Sequence, residues 1–150
     1  MSSAADPDPV ATGGPVEPVV HAAPEAVWLT AESLGLADPA LAAHPDLTAV
    51  FVFDEPLLRR LRLSGKRLVF LAECLAAIGD DRPLEVHRGD VPTVLAGRAV
   101  ATTFAPVPGW RRRAAVVEPV VVHPWRWLAR PHDGSVRSYS AWRKKVRPPR

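Results

Sequence analysis

The stretch from residue 47 to residue 78 constrains the fold more than any other. It begins Leu-Thr-Ala-Val-Phe-Val-Phe-Asp-Glu-Pro, a near-continuous apolar run that ends at Asp54. Such a run suits a parallel strand buried on both faces. A short basic loop follows. The chain then places Leu68, Leu71, Ala72, Leu75 and Ile78 at helical spacing, and Gly79 stands where a left-handed cap would end the helix. A buried strand, an acidic exit and an amphipathic helix make one βα unit.

Similar units recur on either side. Residues 25–29 form a short apolar strand. Asp38-Pro39 signals a helix start, an acceptor followed by a proline that lacks the N–H anyway, and Pro45 stops that helix. Thr48 to Phe53 is the second strand, and residues 57–63 read as a helical turn or a loop. Ser64 opens the helix over 66–78. Leu84-Glu85-Val86-His87 alternates as a third strand, and Asp90 caps a helix running to about Ala96. Residues 100–103 form a fourth strand, Trp110 to Val117 a two-turn helix, and residues 120–122 a fifth strand. The strand and helix alternation predicts a parallel sheet covered by helices on both faces.

At 150 residues one domain is the expectation. The ends differ from the middle. Residues 1–24 are rich in Ala, Pro, Gly and Asp without any period and read as a disordered tail, with the α/β domain over 25–130 and a basic tail or linker over 131–150. The first 25 residues carry Asp6, Asp8, Glu17 and Glu25 and no cation. Residues 126–150 carry eight Lys and Arg against Asp133 alone, with Trp127, Tyr139 and Trp142 among them. Interleaved cations and aromatics can hold phosphates and stack on bases, so Arg143, Lys144, Lys145 and Arg147 are candidates for weak nucleic-acid contact or for docking. The bland alternative is a solvated linker. Arg59, Arg60, Arg62, Lys66 and Arg67 form a second basic cluster, either a solvated face or a docking surface for a partner or phosphates.

Several classes of function find no support. One cysteine, Cys74, allows no intrachain disulfide and reads as a core thiol, which fits a cytoplasmic location. The start lacks the basic and apolar regions of a secretory signal, and no window approaches a membrane span. The five histidines have no metal-ligand spacing. The glycine fingerprint of a dinucleotide site is missing after the first strand.

The residues carry a resemblance to the N-terminal α/β domain of the DNA photolyase/cryptochrome family, over about residues 25–146. There a first strand ending in Val-Trp leads to an Asp-Asn-x-Ala-Leu helix start; Ala26-Val27-Trp28-Leu29 and Asp38-Pro39-Ala40-Leu41 are similar, without the asparagine. Val50 to Asp54 resembles the family's Val-Phe-x-x-Asp strand end. Arg67, Phe70, Leu71 and Leu75 match its Arg-x-x-Phe-Leu-x-x-x-Leu helix. Arg88-Gly89-Asp90 matches its Arg-Gly-Asp, and Tyr139 to Arg143 looks like a worn form of its aromatic Tyr-x-x-Phe-x-x-Phe-Trp-Arg segment.

The resemblance implies a Rossmann-like open five-stranded parallel sheet in the order 3-2-1-4-5. Its ligand crevice would lie at the carboxyl ends of the strands, where the order reverses. The rim would include Leu29, Thr30, Phe53, Asp54, Glu55, Thr103 and Phe104, the place of a folate or deazaflavin antenna in the family. Asp54 reads first as a turn or helix cap at a strand exit, and second as a ligand contact. Two family segments around this crevice are replaced, by Thr30 to Gly35 and by Thr102 to Pro106. The family's FAD-binding helical domain has no counterpart in these residues. The expectation is therefore no FAD site here, no lyase activity from this chain alone, and a separate FAD-binding helical-domain protein as partner. Such a chain would be the accessory half of a split photolyase, or a binding module that kept the fold and lost the antenna.

Overall fold

The computed structural model describes residues 14–128 and 138–145. Six strands form one sheet: β1 (Val19–Val20), β2 (Ala26–Leu29), β3 (Thr48–Asp54), β4 (Leu84–Gly89), β5 (Val100–Thr103) and β6 (Val121–His123). Six α-helices accompany them: α1 (Pro39–Ala43), α2 (Glu55–Leu61), α3 (Gly65–Asp81), α4 (Val91–Val94), α5 (Trp110–Val117) and α6 (Tyr139–Lys145). The sheet order is β1-β6-β5-β2-β3-β4. All neighbours pair parallel except β1 with β6. The protein is thus α/β with a mostly parallel sheet.

The expected five-stranded sheet needs correction at one edge. Val19 and Val20 pair antiparallel with Val122 and Val121, inside a segment expected to be disordered. The His21 amide donates to the Val120 carbonyl at 2.8 Å and continues the contact. Two residues have no period of their own; this strand exists because the open edge of β6 supplies its hydrogen bonds. Upstream, Gly14 lies so close to the Phe104 ring that a Cβ there would collide with it. The expectation for residues 1–13 falls outside the described residues.

The apolar run of β3 is buried on both faces because helices cover both. Val27, Leu29, Ala49 and Phe51 pack with Ala40 and Leu41 of α1 and with Leu75 and Ile78 of α3. Ala26, Trp28, Val50, Val52 and Val100 pack with Val91 of α4 and with Leu95. Successive residues of one strand therefore feed opposite cores. Thr102, fully buried, donates its hydroxyl to the Trp28 carbonyl at 2.9 Å, so its polar group is satisfied inside the sheet.

Helix ends follow short-range chemistry, with one exception. Asp38, Asp54 and Asp90 each accept a backbone N–H three residues on, at 2.9, 3.1 and 3.1 Å, and each has a proline in the first turn. Ser64 caps α3 in the same way. Gly79 does not end α3, which runs on to Asp81. The Arg82 guanidinium decides the end by donating to the carbonyls of His44 and Leu41, at 3.0 and 3.1 Å, and so pins the end of α3 to the last turn of α1. Leu71, Leu75 and Ile78 are buried, but Leu68 and Ala72 are exposed and Cys74 is half-buried. The buried stripe of α3 is narrower than the spacing suggested. α4 is also shorter than expected, stopping at Val94.

Candidate functional site

Two strand exits and one helix gather at the carboxyl end of the sheet. β2 leaves through Leu29 and Thr30 into a 3-10 turn, Ala31–Ser33. β3 leaves through Asp54 into α2, and α5 closes from the opposite face. Between them lies a cavity of about 110 Å³. Leucines of α2 and α3 and the ring of Phe53 line it, with Asp54, Arg67 and Arg113 also at its boundary.

The cavity holds an unusual set of polar atoms. Thr30 is only 6% exposed, and its hydroxyl has no hydrogen-bond partner in the protein. Glu32 Oε2 and Arg113 Nε are also buried without a partner. All three residues line this one cavity. Buried polar atoms are nearly always paired, so three orphans around one space call for a partner the protein does not supply, water or a solute.

The expected crevice residues only partly converge here. Leu29, Thr30, Phe53 and Asp54 line the cavity. Asp54 also caps α2 by accepting from the Leu57 amide, which gives it the structural role its position allowed. Glu55 instead pairs with Arg88 and, at 3.7 Å, with Arg59. Thr103 accepts from the Ala40 amide at 3.1 Å and serves the start of α1. Phe104 is buried against Trp110, with ring centroids 4.9 Å apart, and the Arg111 guanidinium lies over its ring, 5.6 Å from the centroid. The start of α1 thus takes up Thr103 at the end of β5, and Trp110 of α5 takes up Phe104.

A folate or deazaflavin needs a site of about 300–1,000 Å³. The cavity shared by Leu29, Thr30, Phe53 and Asp54 is well below this, while Asp54 and Phe104 each also line a larger, open cleft, of about 430 and 730 Å³. Sequence reasoning missed Glu32 and Arg113. Glu32 lay in a segment read only as a departure from the family, and Arg113 in a run of three arginines with nothing to single it out. Their meeting depends on how α5 sits over the sheet.

Two further groupings stand apart from the cavity. His44, at the end of α1, and His123, at the end of β6, meet with Nε2 atoms 3.0 Å apart. Burial lowers the pKa of both, the charge of His44 lowers that of His123 further, and Asp38 partly offsets this. On the edge strand β4, Arg98 holds Glu85 through two bonds of 2.8 and 3.2 Å. The hydrogen bonds from Arg98 and then His87 pull the Glu85 carboxyl down to about 2.

The C-terminal candidates Arg143, Lys144 and Lys145 stand exposed in the last turn of α6, while Arg147 lies outside the described residues. Tyr139 and Trp142 stack on the same helix, 5.6 Å apart. Among the described residues there is no cluster of His, Cys, Asp and Glu that could hold a metal, and no helix long and apolar enough to cross a membrane. Comparison with protein-family models, with curated proteins and with solved structures gave no match.

Proposed function

We propose that this chain is a photolyase-like α/β module that docks onto a second chain instead of carrying a light-harvesting chromophore. The observation that carries this reading is the surface of α2 and the start of α3. Leu61, Leu68, Val69 and Phe70 are exposed there, Val69 and Phe70 by more than half. Around them stand Arg59, Arg60, Arg62, Lys66 and Arg67, all exposed. An apolar centre with a charged rim is the anatomy of a protein interface, and arginine is favoured there. The charge calls for a partner that presents acidic side chains around its own apolar patch. The resemblance to photolyases supplies its identity: a separate chain with the FAD-binding helical domain, which would perform any lyase chemistry.

The lost-antenna half of the reading is supported by the small cavity and by the commitments of Thr103 and Phe104. A split photolyase with its antenna retained draws support only from the four rim residues that do share the cavity. Co-expression with a flavin-binding helical-domain chain tests the proposal. A complex on size-exclusion, weakened by salt and abolished by Phe70→Glu, is the expected result. Failure to associate would overturn the docking reading, and near-ultraviolet or blue absorbance of the purified chain would restore the antenna.

A further inference from the structure

We infer that the cavity at the carboxyl ends of β2 and β3 binds a small zwitterion of the α-amino-acid class with a short aliphatic side chain. This goes beyond the docking reading and does not depend on it. The argument starts from the three orphaned atoms. Glu32 Oε2 can only accept, Arg113 Nε can only donate, and the Thr30 hydroxyl can do either. Among the described residues Glu32 and Arg113 form no ion pair with each other or with a neighbour. Glu32 and Arg113 thus face the same small space without pairing with each other; of the other two charged residues on its wall, Asp54 caps α2 and Arg67 stands exposed at the boundary. An ammonium against Glu32 and a carboxylate against Arg113 complete both, with Thr30 serving either end.

Water alone is the competing occupant. A cavity of about 110 Å³ has room for roughly three or four waters at about 30 Å³ each, and a buried water normally needs two to four polar partners. Waters can also bond to one another, so the titration below decides between them and a solute. Apart from Asp54 and Arg67, the remaining wall, including Leu57, Leu58, Leu71 and Phe53, is apolar and suits a hydrocarbon group. Size sets the other limit. A cavity of about 150 Å³ holds benzene, with six non-hydrogen atoms, so this one holds roughly four or five, which puts alanine at the upper limit of size. Aromatic and long-chain amino acids are excluded.

Calorimetric titration of the full chain with L-alanine, with propionate and with propylamine separates the possibilities, alongside amide chemical-shift mapping. Binding of L-alanine at about 1 mM is expected, the affinity that so few atoms can reach. Shifts should centre on Thr30 to Ser33 and on Arg113. Propionate and propylamine, each missing one charge, should bind at least about tenfold more weakly, because a charged group stays unpaired. Glu32→Gln keeps shape and should remove the preference for the zwitterion while leaving the chain folded; Arg113→Leu should do the same from the other end. No binding of alanine at about 10 mM, a concentration well above the expected Kd, would overturn the proposal and leave water as the occupant. Equal binding of propionate or propylamine, or an unchanged preference in Glu32→Gln, would also overturn it.

Discussion

His44 and His123 meet through their Nε2 atoms, 3.0 Å apart, with the two rings edge to face. They lie 79 residues apart in sequence, and the contact ties the end of α1 to the end of β6. One imidazole must donate and the other accept, so the bond survives only while at least one ring is neutral. Both folded-state pKa values lie below the ordinary 6.5. The unfolded chain therefore binds more protons as pH falls, and stability declines from pH 6.5 downward until the folded pKa values are passed. Above 6.5 the contribution is complete. Urea melts between pH 5 and 8, a span of about three units around the imidazole range, should show this decline, and His44→Gln should flatten it. An unchanged slope in the variant would place the dependence elsewhere.

Glu85 and Arg98 set a second, more acidic window. The two bonds from the guanidinium hold the Glu85 carboxyl at about 2, against an ordinary 4.5. A depressed carboxylate contributes stability above its unfolded value, and that contribution is lost as pH falls through its folded value. The pair is partly exposed, so its net worth is small and sensitive to salt. Carboxyl carbon NMR should give Glu85 a midpoint near 2, returning toward 4.5 in Arg98→Ala. A midpoint that stays put would assign the shift to His87.

Leu75 is 3% exposed and packs in the cluster that includes Val27, Phe51 and Ile78, whereas Arg60 is exposed on α2. Leu75→Ala should destabilise the fold by about 2–5 kcal/mol, through lost transfer energy and the cavity left behind. Arg60→Ala should stay within about 0.5 kcal/mol. Chemical denaturation of both variants checks the pair, and equal costs would contradict the buried face of α3.

The basic end of α6 gives a prediction about nucleic acid. Arg143, Lys144 and Lys145 are exposed beside the stacked Tyr139 and Trp142. Weak binding of single-stranded DNA without base preference is expected, falling steeply between about 50 and 200 mM salt through counterion release. Deleting residues 143–150 should abolish it. Binding that ignores salt, or that survives the deletion, would move the contact to another surface.

Local chemistry made much of the scaffold legible in the sequence. Asp38, Asp54, Ser64 and Asp90 cap helices within three residues of themselves, and the unbroken apolar run of β3 required cover on both sides. Such signals need no knowledge of distant residues. The rest depended on partners far along the chain. Val19 and Val20 became a strand because β6 offered an open edge. α3 passed Gly79 because Arg82 found the carbonyls of α1. Thr103 and Phe104 left the expected crevice because α1 and Trp110 engaged them. Glu32 and Arg113 acquired meaning only when α5 came over the sheet and set opposite charges around one cavity. A cap is decided by neighbours in sequence, so it can be read there; a cavity is what packed elements leave between them, and only the tertiary structure decides its walls.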